Sequence, residues 1–92
     1  MTYHLIILPD AEQDLEIHIK AGNKKQLKKI FILFEELKQH PHTGTGKPKP
    51  LKYRQTGLWS RRIDDKHRML YIIDEKIISV FVIALWGHYD DK

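Results

Sequence analysis

The 92-residue sequence contains no cysteine and has few residues that interrupt regular structure. Without cysteine the chain cannot build disulfides, zinc ribbons, iron–sulfur clusters or a thiol nucleophile. It contains only 5 Gly and 4 Pro, and we find no repeats or low-complexity segments. The longest apolar run, Val80 to Trp86, covers well under half of the roughly 20 residues that a membrane helix needs. We therefore expect a cytoplasmic protein with no secretory signal and no membrane association.

Motifs of several common enzyme classes are also missing. There is no Gly-x-Ser-x-Gly, so Ser–His–Asp hydrolysis has no support. The segment Gly44-Thr45-Gly46-Lys47 has neither the length of a phosphate-binding P-loop nor the Ser or Thr that follows its lysine. His40 and His42 have no third ligand nearby, so we expect neither a metal nor a cofactor.

The length and composition predict one folded domain over residues 1–92. With 41% hydrophobic residues the chain has enough apolar material for a core, and too much for a disordered tail. Large multi-site enzymes and dinucleotide-binding folds are excluded by size.

The hydrophobic pattern predicts an α+β fold with the order β-α-α-β-β-β, in which two N-terminal helices pack on one face of an antiparallel sheet. The predicted strands are Tyr3–Leu8, Leu58–Ile63, His67–Ile73 and Ile77–Trp86, with an optional short strand around Leu51-Lys52-Tyr53. The predicted helices are Ala11–Ala21, capped by Asp10, and Lys24–His40, capped by Asn23. The second helix carries an apolar stripe that we expect in the core: Leu27, Ile30, Phe31, Phe34 and Leu37.

Positive charge is concentrated between Lys47 and Arg68, within a chain of formal net charge +4. The segment holds eight basic residues, only two acidic ones, and the rings of Tyr53, Trp59 and His67. Cations that hold phosphates, interleaved with rings that stack on bases, are typical of a nucleic-acid-binding face. A solvated sheet surface would show the same composition, and this alternative stays open.

Six residues are of the types needed to cleave RNA without a metal: Lys49, Arg61, Arg62, Arg68, His88 and Tyr89. The RNA supplies its own nucleophile, the 2′-hydroxyl. The protein must accept its proton, stabilise the phosphorane and protonate the leaving 5′-oxygen. Guanidinium groups suit the second task and histidine the third. Each residue also has a plain alternative, since Arg68 could pair with a carboxylate and His88 and Tyr89 could be ordinary terminal residues.

Four sequence blocks in the C-terminal half resemble the Txe/YoeB family of the RelE/ParE toxin superfamily. They are G-K-P-K-P-L-K from Gly46, G-L-W-S-R-R-I from Gly57, H-R-M-L-Y from His67, and H-Y at His88 and Tyr89. The family pattern has the same order and nearly the same spacing. The N-terminal part agrees with it in pattern only.

The resemblance implies a microbial-RNase-like fold and a metal-free endoribonuclease that cuts messenger RNA in the ribosomal A site. It gives Arg68 the role of stabilising the transition state, His88 that of general acid and Tyr89 that of positioning substrate. It also implies that Lys47, Lys52, Arg61 and Arg62 hold RNA phosphates, and from the aromatic pattern of the basic segment we add Trp59 as an RNA-binding candidate. The implied partners are the ribosome, mRNA and a cognate YefM/Axe-like antitoxin with an acidic C-terminal segment, and a homodimer is left open.

Lys49 departs from the family pattern, which usually has Glu there as the general base. Three interpretations stay open: Lys49 is itself the base in its neutral form, His88 is the base, or the activity is weakened. Two other functions are also considered. One is a ParE-like toxin that inhibits DNA gyrase by protein contacts, a branch that lacks the terminal His-Tyr pair, and the other is an RNA-binding protein without catalysis.

Overall fold

The computed structural model describes residues 2–51 and 57–87, which form two helices and five strands. In chain order these are β1 (His4–Ile7), α1 (Pro9–Ala21), α2 (Lys24–Gln39), β2 (Lys49–Pro50), β3 (Leu58–Arg62), β4 (Arg68–Asp74) and β5 (Ser79–Ala84). The predicted α+β class and order of elements are confirmed. The optional extra strand is the two-residue β2, which lies just before the predicted position, while Lys52 and Tyr53 lie outside the described residues.

The sheet is mixed, with strand order β1-β5-β4-β3-β2. Strands β2 to β5 pair antiparallel as predicted. The prediction is wrong for β1, which runs parallel to β5 with His4 opposite Ser79 and Ile7 opposite Val82. A parallel pair needs a long crossover connection, and the helices and strands between β1 and β5 supply it.

Helix α1 begins with Pro9 rather than with a polar cap. Leu8 is the extended residue before the helix and makes no side-chain cap, and Pro9 fits the first position because its missing N–H needs no partner there. Asp10, which we predicted as the cap, lies in the first turn, where a carboxylate interacts favourably with the helix dipole. The helix ends at Gly22, whose φ of 75° suits glycine.

Helix α2 is capped as predicted, because Asn23 Oδ1 accepts a hydrogen bond from the N–H of Gln26 at 3.1 Å. Its buried residues are Ile30, Leu33, Phe34 and Leu37, at three- and four-residue spacing. The prediction that Phe31 lies in the core is wrong, since the side chain is 49% exposed. Leu33 is buried instead of Phe31, so the buried stripe faces a different side of the helix from the predicted one.

The main core lies between the helices and one face of the sheet. It contains Ala11, the four buried α2 side chains, Ile63, Met69, Tyr71, Ile73, Val80, Val82 and Leu85. A smaller cluster of Leu51, Leu58 and Leu70 lies on the opposite face, which we call the outer face. Neither helix of the described residues is long and apolar enough to cross a membrane.

Candidate active site

Strand register places three of the predicted site residues on the outer face of the sheet. Arg62 lies directly opposite Arg68 across the β3–β4 pair, and Lys49 lies opposite Ser60 across β2–β3. Directly opposed residues share a face, and so do residues two apart in a strand, so Lys49, Ser60, Arg62 and Arg68 form one group. Two guanidinium groups in opposed positions repel each other, and an anion bound between them would relieve that repulsion.

Arg68 is held at the start of β4 by backbone on both sides. Its guanidinium Nη1 donates to the carbonyl oxygens of Asp64 at 2.7 Å and His67 at 3.2 Å. Its backbone N–H donates to the carbonyl of Gly87 at 3.0 Å. The side chain is only 9% exposed, so its direction is fixed by the turn before it rather than by solvent.

The turn between β3 and β4 is built on the Asp64 carboxylate. Oδ1 accepts from the backbone N–H groups of Lys66 at 2.8 Å and His67 at 2.7 Å, and Oδ2 accepts from the side-chain amide of Gln26. Burial by itself raises the pKa of this carboxyl, but the three hydrogen bonds favour the ionised form, and the net effect is a lowered pKa. An ionised Asp64 therefore orders the turn that presents Arg68.

His67 packs beside this turn and is partly buried. Its Nδ1 accepts a hydrogen bond from the N–H of Gly87 at 3.0 Å, and its ring lies 4.2 Å from the ring of Trp86 between centroids. Burial lowers the pKa of His67, with nearby positive charge from His18 adding to the effect and Asp64 opposing it. The neutral ring thus connects β4 to the segment that directly precedes His88 in the sequence.

The basic loop before β2 lies against the end of β3. The carbonyl of Gly46 accepts from the N–H of Arg62 at 2.6 Å, and a Cβ on Gly46 would lie 2.8 Å from the Arg62 carbonyl oxygen. Gly46 has φ of 86° and the next residue, Lys47, has φ of 53°. This backbone brings the exposed Lys47 next to the Arg62 end of the outer face.

Arg61 is not available to bind RNA, which corrects the prediction. Its side chain is fully buried and donates to the Tyr71 hydroxyl at 3.1 Å and to the Glu36 carboxylate at 2.9 Å. Further bonds reach the backbone carbonyls of His40, Thr43 and Thr45. Apart from Tyr71 on β4, these partners come from α2 and the loop after it, so Arg61 connects that loop to the sheet. The alternation of β3 explains the error, because Arg61 points to the helix side and Arg62 to the outer face.

Glu36 is the acidic partner of Arg61 in an ion pair. Burial raises the pKa of its carboxyl, while hydrogen bonds from Thr45 and the charge of Arg61 lower it by more, so the pKa lies below its ordinary value. Trp59 is also separated from the outer-face group. It is partly buried against the main core, and its ring contacts His42 edge-on at 5.2 Å between centroids.

Lys52, His88 and Tyr89 lie outside the described residues, so their predicted roles stay predictions. Four residues that the sequence analysis missed surround the Arg68 turn: Asp14, His18, Gln26 and Asp64. The helical spacing of Ala11, Leu15 and His18 indicates that His18 faces the core. This spacing was the signal in the sequence that could have identified His18. Residues 2–51 and 57–87 contain no group of three acidic or histidine side chains that could hold a metal.

Comparison with known proteins gives a consistent result over nearly the whole chain. Residues 9–89 match the family described as "YoeB-like toxin of bacterial type II toxin-antitoxin system". The chain is 33% identical to Toxin YoeB of Escherichia coli over 84 residues, which covers 91% of this chain and 98% of the relative.

Solved structures agree in fold. A "YoeB/ParE toxin" from Agrobacterium tumefaciens superposes with a TM-score of 0.83 at 32% identity, covering 94% of this chain and 99% of that one. YoeB of Staphylococcus aureus, solved as a dimer, superposes with a TM-score of 0.80 at 30% identity, covering 97% and 100% of the two chains. The same toxin has been solved in complex with YefM, with a TM-score of 0.76 at 31% identity and the same coverage.

Proposed function

Because the chain belongs to the family of YoeB-like toxins of bacterial type II toxin–antitoxin systems, we propose that it is an endoribonuclease that cleaves ribosome-bound mRNA without a metal. The observation that carries the proposal is the register of Arg62 opposite Arg68, on the same face as Lys49 and beside Lys47. This face presents the exposed guanidinium fork of Arg62 directly opposite Arg68, and a guanidinium fork matches the oxygens of a phosphodiester. Action on ribosome-bound mRNA would place the protein in the cytoplasm.

The proposed reaction is an attack of the RNA on itself. The 2′-oxygen bonds to phosphorus, the bond from phosphorus to the 5′-oxygen breaks, and the products carry a 2′,3′-cyclic phosphate and a 5′-hydroxyl. The 2′-hydroxyl proton passes to a base, for which Lys49 is the candidate on the outer face. His88 protonates the leaving 5′-oxygen, and Tyr89 positions the substrate.

Arg68 and Arg62 stabilise the extra negative charge of the phosphorane. Donors that are fixed before the reaction contribute most, since they need no reorganisation in the transition state. Arg68 meets this requirement through its two carbonyl partners. Lys47 and Lys52 hold neighbouring phosphates, in keeping with their sequence positions on the basic segment. Trp59 is partly exposed and lies away from the outer-face group, so it stays a candidate only for stacking on a base away from the cleaved phosphodiester.

The proposed partners follow from the same chemistry. An exposed cationic face that cleaves RNA has to be masked in its own cell, and an acidic segment that folds on binding would do this. We propose a YefM-like antitoxin with an acidic C-terminal segment, since the S. aureus toxin was solved with YefM. A homodimer is proposed by analogy with the S. aureus dimer.

The test is induction of the chain in bacteria, with measurement of translation and mapping of mRNA 5′ ends. Cuts at ribosome-occupied codons are expected for the parent protein and for Lys20→Ala, an exposed lysine on α1 that serves as the charge control. The cuts should vanish in Arg68→Ala and His88→Ala. Growth arrest without cuts, or arrest that persists in both variants together with DNA breaks, would contradict nuclease function and favour a gyrase-directed toxin.

A further inference from the structure

A fully buried histidine, His18 on α1, is used by no step of the proposed reaction. Its Nε2 lies 2.7 Å from the carbonyl oxygen of Leu85, and because a carbonyl only accepts, this nitrogen donates. Its Nδ1 lies 2.8 Å from Oε1 of Gln26 on α2. Both ring nitrogens thus face acceptor oxygens, and donation to both requires a proton on each nitrogen. His18 therefore joins the two helices to the segment after β5.

Gln26 extends the connection to the turn that holds Arg68. Its amide nitrogen donates to Oδ2 of Asp64, while its oxygen faces His18. The same Asp64 orders the turn through Oδ1, and its backbone carbonyl accepts from the Arg68 guanidinium at 2.7 Å. A continuous hydrogen-bond network thus runs from His18 through Gln26 to Asp64, whose backbone carbonyl orients the Arg68 guanidinium.

The hydrogen bonds between α1 and the segment after β5 also lead back to Arg68. Asp14 accepts the N–H of Leu85 at 2.9 Å, and His18, one helical turn later, donates to the carbonyl of the same residue. Two residues further on, the carbonyl of Gly87 accepts the backbone N–H of Arg68. Helix α1 therefore fixes the peptide of Leu85 on both sides, and the segment that it fixes holds the Arg68 backbone.

We propose that His18, Gln26 and Asp64 are positioning residues. They hold the guanidinium of Arg68 and the Leu85–Gly87 segment in the relative position that cleavage requires. The proposal rests on the proposed function, since it assigns these residues to the same reaction. None of the three needs to touch RNA. A displacement of a catalytic group by about 1 Å can cost roughly 10²-fold in rate, so loss of the network should reduce catalysis without preventing binding.

The principal variant is Gln26→Leu, which removes both side-chain hydrogen bonds and keeps a similar volume and a good helix former. With purified protein and mRNA-programmed ribosomes, the single-turnover cleavage rate should fall about tenfold to hundredfold. The substrate concentration for half-maximal rate should stay within about threefold, because Arg62, Lys47 and Lys49 are untouched. His18→Gln should retain more activity than His18→Leu, since the glutamine amide nitrogen can still donate to Leu85.

A second readout is independent of cleavage. In the parent, NMR signals of the Arg68 guanidinium protons should show slow exchange and restricted rotation, as expected for a donor held by the Asp64 carbonyl. In Gln26→Leu these signals should broaden or average. Leu37→Val is the matched control: it disturbs the main core, lies outside the network, and should leave both the cleavage rate and the Arg68 signals unchanged.

The outcomes separate the two proposals. If Arg68→Ala abolishes cleavage while Gln26→Leu and His18→Leu cleave at the parent rate, the positioning proposal is overturned and the nuclease proposal stands. An equal loss in Leu37→Val would also overturn it, because general stability would then explain the effect. If Arg68→Ala cleaves normally, the role of Arg68 fails and the positioning proposal fails with it, whereas a parent protein that cleaves no mRNA contradicts the nuclease proposal.

Discussion

The guanidinium of Arg61 meets the carboxylate of Glu36 at 2.9 Å, with the arginine side chain fully buried and the glutamate side chain 24% exposed. The pair joins β3 to α2, and the same guanidinium gathers three carbonyls of the loop that follows α2. Its neighbour Arg62 is exposed on the other face of the sheet. Adjacent arginines in one strand thus have opposite tasks, one in holding the fold and one, as we propose, in holding RNA.

This separation predicts opposite effects for two similar substitutions. Arg61→Ala leaves Glu36 and several carbonyls without their donor and should lower the free energy of unfolding by about 3–5 kcal/mol. Arg62→Ala should change it by no more than about 0.5 kcal/mol, but should weaken RNA cleavage. Urea unfolding and a cleavage assay on both variants provide the measurement. A similar stability loss for the two variants would contradict the structural role of Arg61.

Lys49 is expected to be needed for cleavage although the family usually has Glu there. Removing a general base typically costs about 10²–10⁴-fold, so Lys49→Ala should lose most of the cleavage rate. Lys47→Ala, two residues earlier in the basic loop before β2, should mainly weaken binding. Lys49→Glu should retain more activity than Lys49→Ala, because a carboxylate can accept the proton. Cleavage by Lys49→Ala within a few-fold of the parent would rule out Lys49 as the base.

The two phenylalanines of α2 should differ sharply in their contribution to stability. Phe34 is buried in the main core, and Phe34→Ala should cost about 3–5 kcal/mol in the free energy of unfolding. Phe31 is 49% exposed and touches Phe34 edge-on with 5.9 Å between centroids. Phe31→Ala should therefore cost only about 1 kcal/mol. Equal losses in chemical denaturation would mean that Phe31 belongs to the core after all.

Acid should destabilise the fold in two steps. The folded state lowers the pKa of His67, mainly by burial, so it binds that proton less readily than the unfolded chain. Stability is then lost as the pH falls below the ordinary histidine value of about 6.5. Asp64 and Glu36 also have lowered pKa values in the folded state, so they stabilise above their unfolded values and this is lost near pH 4 and below.

Unfolding free energies measured between pH 7.5 and 3 provide the check. His67→Phe should flatten the part of the curve that begins below about pH 6.5, and Asp64→Asn should flatten the part below about pH 4. Glu75→Gln is a control for the loss of one carboxylate charge, since this exposed side chain hydrogen-bonds only with Tyr3 among the described contacts. Constant stability across the range would contradict the lowered pKa values.

Local patterns in the sequence predicted the elements well, and distant contacts account for what they missed. The Asn23 cap and the α2 helix depend on residues within a few positions of each other, and both were found. The buried role of Arg61 depends on Glu36, His40 and Thr45, which are far from it in sequence and are not marked by any motif.

The direction of β1 was missed for a similar reason. Alternating aliphatic residues identify a strand, but the same alternation serves a parallel or an antiparallel neighbour. His18 shows that local spacing predicts burial but not distant partners. Its spacing from Ala11 and Leu15 indicates that it is buried, whereas Gln26 and Leu85 become its neighbours only in the folded chain.

The parallel pairing of β1 with β5 sets the order in which the molecule is completed during synthesis. Among the described strands β1 is made first and β5 last, so β1 waits for its sheet partner until both helices and the other strands have been translated. Pairings between such distant segments form slowly because a long loop must close first. Leu85 and Gly87, which hold the Arg68 corner, follow β5 directly. A nascent chain therefore lacks the finished Arg68 corner until β5 and the Leu85–Gly87 segment have left the ribosome.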